Sequence, residues 1–175
     1  MLTYLGGAID YANEAQKNWR EEISKRLLEH NISSYNPATA FNVTNKHLDS
    51  RLINQLKNIN DMAIMKSDVA VFWLPKSVLS VGSVVELVEL VGSTNNKTHI
   101  VVVCPDVYKF SDVSFYLYGL LTQHPKSNLI VGIKQDNNTE LLYDIVSDAV
   151  QDIVKSTDTP SSPLNVAINM LSPNK

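Results

Sequence analysis

The chain has 175 residues, of which 44% are hydrophobic and 19% charged, with a formal net charge of −3. That balance fits one ordinary globular domain, long enough to build a core without disulfides or a metal. The acidic balance and the lack of any basic run exclude a general nucleic-acid binder, and no apolar run is long enough to cross a membrane.

Leu2 to Leu5 reads as a buried first strand that ends in a tight loop at Gly6-Gly7. Asn13 to His30 carries Ala15, Trp19, Ile23, Leu27 and Leu28 at helical spacing, and Asn31 suits a left-handed cap. Ile32 to Tyr35 is a second strand, stopped by Asn36-Pro37, and Thr39 to Lys46 reads as a loop. Asp49 or Ser50 caps a helix to about Lys66, with Leu52, Ile53, Leu56, Ile59, Met62 and Ala63 on one face. Val69 to Leu74 is a third strand. Ser80 to Ser83 forms a loop and cap, and a helix follows through Glu86 to about Val91. Ile100 to Cys104 is a fourth strand, Ser111 caps a short helix through Leu121, and Leu129 to Ile133 is a fifth strand. Asn138 caps a last helix to about Lys155.

Strands that alternate with helices and are apolar on both faces predict a parallel sheet covered on two sides. The fold class is therefore α/β, a flavodoxin-like or Rossmann-like three-layer sandwich with a five-stranded parallel sheet. Residues 1–155 form the domain. The tail, 156–175, is rich in Ser, Thr, Pro and Asn, as in a linker or a disordered segment. Its apolar Leu164, Val166, Ile168, Met170 and Leu171 give the other reading, a segment that docks on this subunit or a neighbour.

In such sheets, ligands bind beyond the carboxyl ends of the strands. Four stretches face that rim: Tyr4 to Asp10, Asn58 to Asp61, Ser80 to Glu86, and Pro105-Asp106 with Asp112-Val113. Gly82-Ser83 opens a helix, which leaves free backbone N–H groups and a positive helix end. Glu86, one turn in, leans back over that end and is expected to stay ionised, ready as a nucleophile. Breaking an N-glycosidic bond needs a carboxylate at an oxocarbenium-like centre and a second group acting on the departing base. Asp61 is the candidate for the second group, and the Tyr4 hydroxyl could hold the Glu86 rotamer.

Tyr4-Leu5-Gly6-Gly7, Trp19-Arg20, Asn36-Pro37, Asn60-Asp61, Ser67 to Trp73, and Gly82-Ser83 with Glu86 follow one another over residues 2 to 113. In their order and spacing, the chain resembles the nucleoside 2-deoxyribosyltransferase family. The resemblance implies Glu86 as covalent nucleophile, Asp61 acting on the base and Tyr4 positioning Glu86. It also implies no metal, no organic cofactor, and homo-oligomers whose active sites borrow residues from a neighbour. Family transferases often carry an acidic residue six positions before the nucleophile, where this chain has Ser80. That serine is similar to the relatives that hydrolyse deoxynucleoside monophosphates. Those relatives also place a hydroxyl and an arginine in the first loop, at positions held here by Ala8 and Asp10.

Each residue also has a plainer reading. Glu86 could be a solvated helix residue, Asp61 a surface acid, Tyr4 a core aromatic, and Gly6 and Gly7 mere turn formers. Trp19 and Trp73 read as core, and Asp10 and Asp112 as helix caps. His47, His99 and His124 show no metal-ligand spacing. Cys104 is the only cysteine, which suits a reducing cytoplasm, and no signal peptide is recognisable at the start.

The expected activity is therefore deoxyribosyl transfer between bases through Glu86. The site is expected to hold a small deoxynucleoside or deoxynucleotide and a nucleobase, with Gly6, Gly7, Ala8, Asp10, Ser80, Gly82 and Ser83 around the substrate. The alternatives are a deoxynucleoside 5′-monophosphate N-glycosidase, with water as acceptor, and a non-catalytic nucleotide sensor.

Overall fold

The protein is described by a computed structural model, which covers residues 1–8, 18–40, 49–93, 97–107, 110–131, 139–156 and 165–168. Its strands are β1 (Leu2–Gly7), β2 (Ser33–Tyr35), β3 (Val69–Trp73), β4 (His99–Cys104), β5 (Ser127–Val131) and β6 (Asn165–Ile168). They form one parallel sheet in the order β2-β1-β3-β4-β5-β6. The five strands read from the sequence are all present, in the flavodoxin-like order. A sixth lies in the C-terminal segment, where Asn165 to Ile168 pairs with Asn128 to Val131.

The helices are α1 (Trp19–Glu29), α2 (Pro37–Ala40), α3 (Ser50–Lys66), α4 (Val81–Gly92), α5 (Phe115–Thr122) and α6 (Thr139–Lys155). Every residue of β3 is buried, because both faces of the sheet are covered. On one face Leu5, Val71, Trp73, Val101 and Val103 pack with Trp19, Ile23 and Leu27 of α1 and with Tyr143, Val146 and Val150 of α6. On the other face Tyr4, Ala70, Phe72, Ile100 and Val102 meet Ile64 of α3, Leu87 and Leu90 of α4, and Leu121 of α5. Trp19 and Trp73 stack in the first core with ring centroids 5.0 Å apart, which agrees with their reading as core residues.

Several local expectations need correction. Gly6 and Gly7 belong to β1 and no described glycine has a positive φ, so they do not make a tight turn. Close packing requires them instead. A Cβ on Gly6 would stand 2.8 Å from the Phe72 ring, and one on Gly7 would stand 3.0 Å from the Trp19 ring. The α3 face read as core is split. Leu52 and Leu56 are half-buried, whereas Ile53, Ile59 and Met62 are exposed, at 50%, 46% and 56%. Helical spacing identifies an apolar stripe but not which part of it the subunit covers. Pro37–Ala40 is a helical turn rather than loop, and residues 41–48 lie outside the described residues. Ser111 sits in a 3-10 turn (Phe110–Asp112), and α5 begins after Ser114. The Asn138 cap lies outside the described residues.

Two caps form as expected. Asn31 takes φ 59° after α1, and one Asp49 oxygen accepts the Arg51 and Leu52 N–H groups at 2.8 Å each. No helix among the described residues is long and apolar enough to cross a membrane.

Candidate active site

The chain leaves β1 toward β2 on one side, and β3 lies on the other, so the sheet reverses its winding beside β1. A cleft of about 240 Å³ opens there, lined by Tyr4, Gly7 and Ala8 of the β1 end, Pro37, Asn60, Leu79 to Ser83, and Glu86. Asp106, just past the end of β4, holds the loop that leads to the cleft. Its two oxygens accept the Lys76 and Ser77 N–H groups at 2.6 and 2.8 Å, which pins the loop between β3 and α4. Asp106 thus serves the rim as a scaffold.

Glu86 enters the cleft because of helical spacing. Ser83, Leu87 and Leu90 are the buried positions of α4, and Glu86 shares their face one turn after Ser83. The first turn of α4 lines the cleft, and Ser80 makes no side-chain cap bond to it. Its hydroxyl donates instead to the Val78 carbonyl at 3.4 Å. The backbone N–H groups at the helix start are thus left without that cap.

Polar side chains from the sheet and from α3 surround the Glu86 carboxyl. Asn60 Nδ2 donates to Oε1 at 3.4 Å, and the Tyr35 hydroxyl in turn donates to Asn60 Oδ1 at 3.4 Å. The Tyr4 hydroxyl is buried and meets no acceptor at strict hydrogen-bond geometry. It nevertheless interacts with Glu86, and each shifts the proton affinity of the other. Tyr4 is held by stacking on Tyr35, centroids 5.9 Å apart, and by Phe72 at 6.2 Å.

The charge state of Glu86 differs from the simple helix-end expectation. Burial pushes its proton affinity above the usual carboxylate range, and the nearby Asp61 charge adds to that. The interaction with the Tyr4 hydroxyl, the hydrogen bond from Asn60 and the Arg20 charge oppose the rise. Burial wins, because few waters remain to solvate the anion. The outcome is a desolvated, relatively basic carboxylate rather than one strongly biased to ionise.

The structure gathers Tyr4, Gly7, Ala8, Ser80, Gly82, Ser83 and Glu86 in one cleft. Gly6 is not on its lining. Asp10 lies outside the described residues. Asp61 borders Glu86 in an adjoining hollow of about 250 Å³, shared with Ile64, Met65, Glu89, Leu90 and Ser93. Its Oδ2 is 2.7 Å from Lys57 Nζ, which also reaches Glu89 at 3.1 Å. Asp112 sits on the 3-10 turn and does not line the cleft. Asn60, Pro37, Leu79 and Val81 also line the cleft, although the sequence reading gives none of them a role of its own. For Asn60 a signal existed. Lys57 and Asp61 are spaced for an i,i+4 pair, which turns Asp61 along the helix surface and presents its predecessor on another face. Cys104 is buried, and burial pushes its thiol up to about 12, as fits an inert core residue. No cluster of metal-ligating side chains occurs among the described residues.

A doubly wound parallel sheet with a half-buried carboxylate in the cleft at its switch point defines the class, an α/β protein of the flavodoxin-like kind with a carboxylate-centred site. The chain belongs to the nucleoside 2-deoxyribosyltransferase-like family, whose model matches residues 2–108. Its fold is similar to that of a 2-deoxyribosyltransferase from Bacillus psychrosaccharolyticus, at 11% identity and a TM-score of 0.58, over 85% of this chain and 91% of that one. It is also similar to a CMP N-glycosidase from Clostridium botulinum, at 16% identity and a TM-score of 0.55, over 83% and 98%. An NAD(P)H:quinone oxidoreductase from Methanothermobacter marburgensis shares the fold at 12% identity and a TM-score of 0.51, over 86% and 96%. At these identities the structural likeness carries the fold alone. The sequence has no match among curated proteins.

Proposed function

We propose that the protein is a nucleoside 2-deoxyribosyltransferase, with Glu86 as its nucleophile. The observation that carries this reading is the Glu86 carboxyl, drawn into the cleft at the start of α4 with Asn60 donating to it and Tyr4 behind it. A desolvated carboxylate of raised basicity is a better nucleophile toward an anomeric carbon than one fully hydrated.

In the first displacement a Glu86 oxygen bonds to C1′ of a deoxynucleoside. The C1′–N bond breaks, its electron pair goes to the base nitrogen, and a proton donor neutralises the base. In the second, a nitrogen of another base attacks C1′, the glutamyl ester bond breaks and the carboxylate returns. Two inversions retain the configuration. Tyr4 and Asn60 hold the carboxylate rotamer. Asp61 is assigned to the base on family resemblance. Its position in the adjoining hollow, paired to Lys57, supports this less directly than the cleft supports Glu86.

A second reading has specific support. Ser80 and the first turn of α4 line the cleft, and helix-start N–H groups suit an anion. That favours hydrolysis of a deoxynucleoside monophosphate, whereas Ala8 offers no hydroxyl for phosphate. Chromatography of products from deoxynucleosides and their monophosphates, with and without a foreign base, tests both. A new nucleoside supports transfer, free base with sugar or sugar phosphate supports hydrolysis, and binding without turnover leaves a sensor.

We also infer a homo-oligomer. Leu79 and Val81 line the cleft yet are 64% and 57% exposed, and Val84, Val85 and Val88 continue this apolar band along α4. A second copy seated on the band would close a cleft smaller than the ~300–1,000 Å³ usual for small-molecule sites. Sedimentation at equilibrium tests this, and a monomer at micromolar concentration would refute it.

A further inference from the structure

Arg20 has no part in the chemistry above, yet it occupies an expensive position. It lies in the first turn of α1 and is fully buried, at 0% exposure. Its Nε donates to the Leu5 carbonyl at 3.1 Å, and Nη1 and Nη2 donate to the Ala8 carbonyl at 3.3 and 3.4 Å. The guanidinium lies 4.8 Å from the Trp19 ring centroid. A Cβ on Gly7 would stand 3.1 Å from Nη2, so the glycine lets the backbone close on the arginine. Packing alone would be served by an apolar side chain with no desolvation penalty. A buried cation that clamps two carbonyls at the end of β1 calls for another reason.

We propose that Arg20 is a positioning residue for Glu86. It fixes the Gly7–Ala8 wall of the cleft that Glu86 enters and the end of the strand that carries Tyr4. α1 and α4 pack on opposite faces of the sheet, so the Arg20 charge reaches Glu86 across the end of β1. The groups acting on Glu86 are Tyr4 from β1, Asn60 and Asp61 from α3, and Arg20 from α1, and Tyr35 of β2 feels its charge. Arg20 favours the ionised form, while Lys57 of α3, the other cation near the site, is engaged by Asp61 and by Glu89 of α4. Burial pulls Arg20 down to about 10, which leaves it protonated at neutral pH. Its consequence for turnover rests on the proposed function, but its consequence for the Glu86 charge does not.

The test is a carboxyl-carbon NMR titration of Glu86 in substrate-free protein, assigned with Glu86→Gln, alongside the Arg20 Nε–H signal. In the wild type, the Arg20 signal is expected to move with the same midpoint as Glu86. In Arg20→Met the Glu86 midpoint rises, and in Arg20→Lys, which keeps the charge, it returns most of the way. In turnover, both variants lose kcat more than they raise KM, with Arg20→Met losing on the order of 10²-fold through misplacement. An Arg20 signal indifferent to Glu86 in the wild type, or an unchanged midpoint in folded Arg20→Met, overturns the proposal. A wild type without turnover overturns the proposed function instead and leaves the titration to decide on Arg20.

Discussion

Asn60 and Glu86 meet where α3 packs on α4, with Nδ2 of the amide donating to Oε1 of the carboxyl at 3.4 Å. The Tyr35 hydroxyl on Asn60 Oδ1 fixes which end of the amide faces Glu86. This donor favours the ionised carboxylate, against burial. Asn60→Ala should therefore move the acid limb of kcat/KM to higher pH. The loss is expected to be about tenfold near neutrality, the worth of a hydrogen bond to a charged group, and smaller at alkaline pH. A pH–rate profile checks this, and an unmoved acid limb would deny Asn60 its role.

The sequence disclosed more of the fold than of the site. β3 is apolar throughout, and β1 and β4 are so apart from Thr3 and His99, because each strand is covered on both faces, so composition alone reveals them. β6 was harder to read. Asn165 to Ile168 is short and set among Ser, Pro and Asn, and only its pairing with β5 makes it a strand. Glu86 was legible because Gly82-Ser83 marks the helix start that aims it. Asn60 was not, since the acid beside it drew the assignment. Residues adjacent on a helix diverge by about 100°, so the Lys57–Asp61 spacing sets Asn60 on another face, but tertiary packing decides that this face meets the cleft.

Glu86 should cost the protein stability at neutral pH. Its folded-state proton affinity is raised by burial, so the fold favours the protonated form. That stabilisation is fully present below the ordinary carboxylate range and is lost as pH rises through the raised value. Glu86→Gln, which mimics the neutral form, should melt at a higher temperature than the wild type at pH 8 and at a similar one at pH 4. Thermal melts at the two pH values check this. The same variant should lose at least about 10³-fold in activity, as expected for removal of a nucleophile.

Gly82 lies in the first turn of α4 with open space where a Cβ would stand. Alanine there should raise stability by up to about 1 kcal/mol through helix propensity. If substrate approaches this backbone, the same change should raise KM severalfold with little effect on kcat. Thermal melts with Michaelis kinetics separate the two effects, and an unchanged KM would remove Gly82 from the substrate site.

Asp61 bears on the departing base only if its loss depends on that base. Asp61→Ala should slow poor leaving groups more than good ones, with a spread within the ~10²–10⁴-fold range of general acid catalysis. A series of nucleosides with bases of graded basicity measures it. An equal loss for every base, or a simple downward shift of the acid limb, would leave Asp61 as a charge beside Glu86 and no more.

The most direct measurement is intact and peptide mass spectrometry of enzyme quenched in acid during turnover of a deoxynucleoside without acceptor base. A deoxyribosyl ester on the peptide that contains Glu86, absent in Glu86→Gln and discharged when a base is added, is the predicted result. Turnover with no adduct under single-turnover sampling, or an adduct on another residue, would contradict nucleophilic attack by this carboxylate.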